Sequence, residues 1–139
     1  MSWIILLYLS CSLYMAGIIW LIQLLHYPSF LQIDKSLFLD FHTQHTNMMT
    51  LLVGPVMIAE LVLSLYLSQH FEKFWLIQSV LVVILFLLTF LVSVPIHNQL
   101  AHGFDKNLIQ KLISTNWPRT IIWTIKAILL VLHIGSGAK

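Results

Sequence analysis

Charge is what this chain has least of. Only 9% of its 139 residues are Asp, Glu, Lys or Arg, against 59% that are hydrophobic, whereas a water-soluble domain carries roughly 25% charged side chains. The deficit excludes a surface solvated on every side. A net charge of +2 is too small for a phosphate-binding face, so nucleic acid is not a partner. The single cysteine, Cys11, excludes an intrachain disulfide, and its place inside an apolar run is that of a small buried hydrophobe. There is no Walker loop, no Gly-x-Ser-x-Gly elbow, no Cys-x-x-Cys pair and no dinucleotide fingerprint, which removes the common nucleotide, hydrolase and thiol-redox chemistries. Internal repeats and low-complexity segments are absent as well.

What the chain does have is long apolar runs. A membrane span needs about 20 apolar residues, and four runs near 3–26, 47–68, 74–97 and 117–134 meet that need in one domain. The expected fold is therefore all-α: a polytopic four-helix up-down bundle in a lipid bilayer. The first run has no Lys or Arg before it and exceeds the ~7–15 residues of a signal-peptide core, so it reads as a retained span. Pro28 is expected to stop the first helix, with a short loop over 29–32, and Pro95 to kink or end the third. Asp34 is a plausible cap for the second helix. Residues 107–113 read as a separate amphipathic helix at the interface. Pro118 suits the first turn of the fourth helix and Asn116 its cap. Trp3, Trp20, Trp75 and Trp117 fall near span ends, as aromatic belts do.

Alternating passage through the bilayer sorts the polar groups. His26 ends the first span, His42 and His45 precede the second, and His97 and His102 follow the third, so five of the seven histidines share one membrane face. At 100° per residue, His42, His45, Met49, Val53, Val56 and Glu60 form one stripe of the second helix. Gln23 and His26 face one way on the first helix, and Asn116, Arg119, Trp123 and Lys126 share a face of the fourth. Imidazole is the commonest protein ligand for transition metals. His42-x-x-His45 puts two rings on adjacent turns, and His26 and His97 come from other helices, the way bundles build metal sites in their cores. The expectation is a zinc, copper or iron site on His26, His42, His45 and His97. Tyr27, Gln23 and Asn98 are placed to orient the rings, and Asn116 and Arg119 to bind an acidic substrate or lipid phosphate, although the place of Arg119 near a span end favours anchoring the helix at the headgroups. His102 reads as a solvated loop residue, and Met49 and Met57 as core.

A mid-span lysine is costly, on the order of 3 kcal/mol, so Lys126 should face the interior and find a partner. Glu60 is the only acid well inside an apolar run, and the two are expected to pair, although counting rise per residue leaves them about one or two turns apart in depth. Loop cations give the orientation. Lys35, Lys106, Lys111 and Arg119 lie on the histidine face and Lys73 and Lys139 on the other, which puts the histidine face in the cytoplasm and both termini outside.

The pattern His26-Tyr27-Pro28-x-Phe30, His42-x-x-His45, Gly54-Pro55-x-Met57-x-x-Glu60, Val94-Pro95-x-His97-Asn98-x-Leu100 and Asn116-Trp117-x-Arg119-Thr120-x-x-Trp123 resembles a family of uncharacterised bacterial four-helix membrane proteins. The resemblance covers most of the chain and implies a bacterial inner-membrane location. In layout the chain is also loosely similar to the anthrone-oxygenase-like membrane proteins. Three functions stay open. The first is a metal-dependent oxidoreductase acting on a lipid-soluble substrate. The second is a b-type haem electron carrier, ranked lower because small residues to admit a macrocycle are scarce. The third is a non-catalytic protein whose polar interior fixes packing or binds a lipid.

Overall fold

Apolar runs seed the four helices, but backbone hydrogen bonding carries each helix beyond its run. In the computed structural model, which describes residues 3–70 and 73–137, α1 is Trp3–Gln32, α2 Phe38–His70, α3 Lys73–Leu100 and α4 Lys106–Gly135. A helix of 30 residues is about 45 Å long, against a hydrocarbon thickness of about 30 Å. The helix ends therefore stand in the headgroup region, where polar side chains are tolerated.

Two expected boundaries move for this reason. The amphipathic stretch 107–113 is the first part of α4 rather than a separate helix, because Ile109 and Leu112 are fully buried against the bundle. Asp105, not Asn116, caps α4 and accepts from the backbone N–H groups of Asn107 at 2.8 Å and Leu108 at 3.1 Å. Pro118 consequently lies inside a helix without ending it. The turn before this cap contains Gly103 at φ +144°, a region open to glycine and strained for other residues. Between α1 and α2, Asp34 accepts from the backbone N–H of Ser36 at 2.8 Å and from its hydroxyl at 2.6 Å. Those bonds hold its exposed carboxyl below the usual range and shape the turn that leads into α2.

Neither Pro28 nor Pro95 ends its helix. Each follows a five-residue π-helical bulge, Ile22–His26 in α1 and Thr89–Ser93 in α3. The Tyr27 N–H reaches the carbonyl of Ile22, and the Val94 N–H that of Thr89. Proline has no N–H and its ring crowds the carbonyl four residues back. A bulge just upstream widens the turn and absorbs both problems, and such bulges are common at functional sites. Here the first ends on His26, next to Tyr27, and the second ends one turn before His97.

Short connections make the helices alternate in direction, and around the bundle the packed neighbours are α1–α2, α2–α3, α3–α4 and α4–α1. The core is layered. Met15, Ile19, Met57, Leu85 and Trp123 fill the middle. Tyr27, Phe30, Phe38, Ile96 and Ile109 fill the histidine end, and Tyr8, Leu67, Trp75 and Leu130 the other. Trp75 is thus a core residue at 1% exposure, whereas Trp3, Trp20 and Trp117 are exposed. Only 17–33% of the most apolar window of each helix is buried, so Leu51, Val62, Leu87, Leu91 and Ile128 point outward. An apolar exterior of this extent needs lipid. The chain is an all-α four-helix bundle whose helices are all long and apolar enough to cross a membrane.

The alternation is testable in a Cys11→Ala background. Single cysteines at Ser36 and Gln110, both exposed, should react with an impermeant maleimide from one side of sealed vesicles. A cysteine at Gln69 should react only from the other; labelling of all three from one side would refute the up-down topology.

Candidate functional site

Two polar systems occupy the interior. The deeper one centres on Glu60 of α2 and Lys126 of α4, 1% and 0% exposed with Nζ 2.5 Å from Oε1. Ser12 of α1 donates to Glu60 Oε1 at 2.9 Å and accepts from Lys126 at 2.7 Å. Trp123 Nε1 donates to Glu60 Oε2 at 3.0 Å. The Tyr8 hydroxyl accepts from Lys126 at 3.2 Å and donates to Gln78 at 3.2 Å, and Gln78 Nε2 donates to the Lys126 carbonyl. All four helices contribute. The charges are almost wholly satisfied by protein, so this system fixes the packing and leaves nothing free to react.

The second system is the histidine cluster at one end of the bundle. Packing on the α2 stripe buries His42 and His45, at 2% and 5% exposure. The two bulges deliver His26 from α1 and His97 from α3 to the same depth. His26 Nε2 lies 2.6 Å from His45 Nδ1, and His42 Nε2 lies 3.1 Å from His97 Nδ1. The other nitrogen of His97 lies 3.2 Å from the Tyr27 hydroxyl. Ring centroids of His45 and His97 are 5.2 Å apart. A neutral set of tautomers satisfies these contacts, with Tyr27 donating to His97 and His97 donating to His42. Phe30 and Phe38, both fully buried, close the cluster off. Phe30 meets His26 and His45 edge-on at 5.4 and 5.0 Å, and Phe38 stacks on His42 at 5.7 Å. Among the described residues, no three His, Cys, Asp or Glu side chains stand ready-made as metal ligands; the imidazoles are paired with one another instead.

Beside the cluster, α1, α2, α3 and Arg119 of α4 enclose a cavity of about 320 Å³. Its polar end is Tyr27, His45, His97 and Arg119. Its wall runs past Thr46, Met49 and Val53 to Met57 along α2, with Thr89, Phe90, Ser93 and Val94 opposite on α3. Thr50, Phe90 and Asn98 on its lining are exposed, so it opens between α2 and α3 toward lipid. Met49 and Met57 are cavity wall as well as core.

The remaining residues singled out in the sequence group differently from expectation. Gln23 does not touch an imidazole. Buried at 2% exposure, it donates to the carbonyl of Ile113 and accepts from Asn116 at 2.9 Å and Thr120 at 3.3 Å. The π-bulge turns it away from His26 and toward α4. Asn98 is exposed on the cavity rim and makes no hydrogen bond to a ring among the described residues. Asn116, freed from capping, accepts from Arg119 at 2.8 Å, and Ser93 accepts from Arg119 at 3.1 Å. Arg119 is not a headgroup anchor but 5% exposed, with its guanidinium 5.3 Å from the Trp123 ring centre. His102 stays in the exposed turn before α4.

Tyr8, Ser12 and Gln78 carry polar contacts that the sequence did not single out. A signal existed for two of them: Tyr8 and Ser12 are spaced by four, one turn apart on one face of an otherwise apolar helix. Comparison of the chain with protein-family models, curated proteins and solved structures finds no match, so what the site does is read from its own geometry.

Proposed function

We propose that this protein is a membrane oxidoreductase that holds a transition metal on His26, His42, His45 and His97 and acts on a lipid-soluble substrate in the adjoining cavity. One observation carries the reading: four imidazoles from three helices meet at the mouth of a cavity open to lipid, His42 and His45 buried and His26 and His97 half-buried, with no carboxylate among the described residues paired with them. Neutral nitrogen donors without negative charge suit zinc, copper or iron rather than magnesium or calcium. Iron or copper would serve electron transfer to or from the substrate, whereas zinc would act only as a Lewis acid.

The fit is near but needs adjustment. Two nitrogens on one tetrahedral ion with bonds of about 2.0–2.1 Å stand about 3.3 Å apart. The His42–His97 pair, at 3.1 Å, is close to that. The His26–His45 pair, at 2.6 Å, must open by several tenths of an ångström and give up its hydrogen bond. The haem reading gains less support, because its candidate axial ligands His45 and His97 have ring centroids only 5.2 Å apart, which leaves no slot for a porphyrin plane between them. The resemblance to an uncharacterised bacterial family remains part of this proposal, as does the cytoplasmic placement of the histidine face. That placement loses one cation, since Arg119 is interior; Lys35, Lys106 and Lys111 still outnumber Lys73 and Lys139. A reporter fused to the C-terminus and active only in the cytoplasm would reverse it.

Elemental analysis of detergent-purified protein tests the centre. Wild type should carry about one equivalent of zinc, copper or iron, and His45→Ala and His97→Ala should lose most of it, at 10–100-fold or greater cost in affinity. Only traces in wild type, or full retention in both variants, would leave the cluster as a packing feature.

A further inference from the structure

Arg119 carries an unbalanced charge that the histidine site does not use. It is 5% exposed, yet no Asp or Glu among the described residues pairs with it, since Lys126–Glu60 is the ion pair they form. Its partners are neutral oxygens, those of Ser93 and Asn116 and the Tyr27 hydroxyl beside it, and its Nε has no acceptor among the described residues. A guanidinium held in a dry interior by neutral dipoles is expensive unless a counter-anion joins it. Beside it is the cavity it lines. The groups facing that space from the other helices are Tyr27, His45, His97 and the threonines, none of them acidic.

The shape of the cavity narrows the choice of anion. From His45 to Met57 it follows twelve residues of α2, about 18 Å. A volume of about 320 Å³ spread over that length makes the cavity long and narrow, a shape that suits one extended chain better than a compact ligand. The volume is at the small end for ligand sites, and a two-chain phospholipid does not fit. The polar end meets the guanidinium, buried Met57 closes the far end, and the opening to lipid between α2 and α3 lies at Thr50 and Phe90.

We propose that this cavity binds a single-chain amphiphile with an anionic head, a carboxylate above all, its head on Arg119 and its tail between α2 and α3. The planar fork of arginine matches a carboxylate, and Asn116 and Ser93 hold the fork in place. This deepens the reading that the cavity takes a lipid-soluble substrate and rests on that part of it, independently of any metal. The head would lie beside His45 and His97, at the cluster.

Titration calorimetry in a non-ionic detergent tests it with decanoate, decanol, decyltrimethylammonium and acetate, on protein as purified and after chelator treatment. Wild type should bind decanoate saturably, about tenfold or more tighter than decanol, with no measurable binding of acetate or the cationic amphiphile. Arg119→Gln should bring decanoate down to the level of decanol, and Arg119→Lys should keep part of the preference. Equal affinity for decanoate and decanol, acetate binding as tightly as decanoate, or an unchanged Arg119→Gln would each overturn the proposal. Loss of decanoate binding on chelation would also overturn it, because the anion would then sit on a metal. Retention on chelation supports it even where elemental analysis finds no metal. Should Arg119→Gln fail to fold, the wild-type selectivity and Arg119→Lys decide.

Discussion

Lys126→Met is expected to destabilise this protein by about 3–5 kcal/mol, and Lys126→Met combined with Glu60→Gln by less than that. The single change strands the Glu60 carboxylate, 1% exposed, with only the neutral donors Ser12 and Trp123 at 2.9 and 3.0 Å. The reciprocal change, Glu60→Gln, leaves the ammonium with Tyr8 and Ser12 at 3.2 and 2.7 Å. Both singles leave a charge in low dielectric, whereas the double leaves an amide whose oxygen can accept from Trp123 while its NH2 donates to the Ser12 hydroxyl. Neutral interhelical hydrogen bonds in membranes average only about 0.6 kcal/mol, so a larger coupling energy has to come from the charges. Unfolding titrations of the four species in mixed micelles give the cycle. Additive losses from the two single changes would sink the pairing argument despite the short contact.

The pairing was legible in the sequence, but its depth was not. Glu60 and Lys126 are the interior acid and base of two apolar runs, and intramembrane charges seek each other. Counting rise from the expected start of the fourth helix left them apart in depth, but α4 begins at Lys106, and a lysine stem reaches several ångströms along its neighbours. The α2 stripe from His42 to Glu60 was equally legible, because one unbroken period governs it even through Pro55. Readability failed at the bulges. A π-turn leaves no residue signature of its own, so Pro28 and Pro95 looked like helix stops. The one-residue shift also carried Gln23 from the imidazoles to Asn116 and Thr120. The four histidines could be gathered to one membrane face by topology alone. That they would pair ring to ring, with Tyr27 on His97, depends on where two bulges point them. For Arg119, position on the wheel said "inward" and position near a span end said "headgroup"; the extra length of α4 below it decided for the interior.

Trp123→Ala is expected to cost about 3–5 kcal/mol through lost burial and cavity formation, and Trp123→Phe about 1–3 kcal/mol because it leaves Glu60 Oε2 without its donor. Trp123 has no exposed surface and is the side chain that joins the two polar systems. Its indole N–H donates to Glu60 at 3.0 Å, while Arg119 lies over its ring at 5.3 Å. The two substitutions should therefore separate. Phenylalanine keeps a ring beneath the guanidinium, and Ser93 and Asn116 still hold Arg119, so Trp123→Phe should lose stability but bind decanoate as wild type does. Alanine removes the surface on which the guanidinium rests, so Trp123→Ala should lose both stability and the preference for decanoate over decanol. Combining Trp123→Phe with Glu60→Gln and Lys126→Met should cost less than the sum of the separate changes, since the acceptor left bare is then an uncharged amide. A Trp123→Ala loss below about 1.5 kcal/mol, outside the range for a buried aromatic, would mean that the middle of the bundle collapses around the gap and that the two polar systems do not depend on each other.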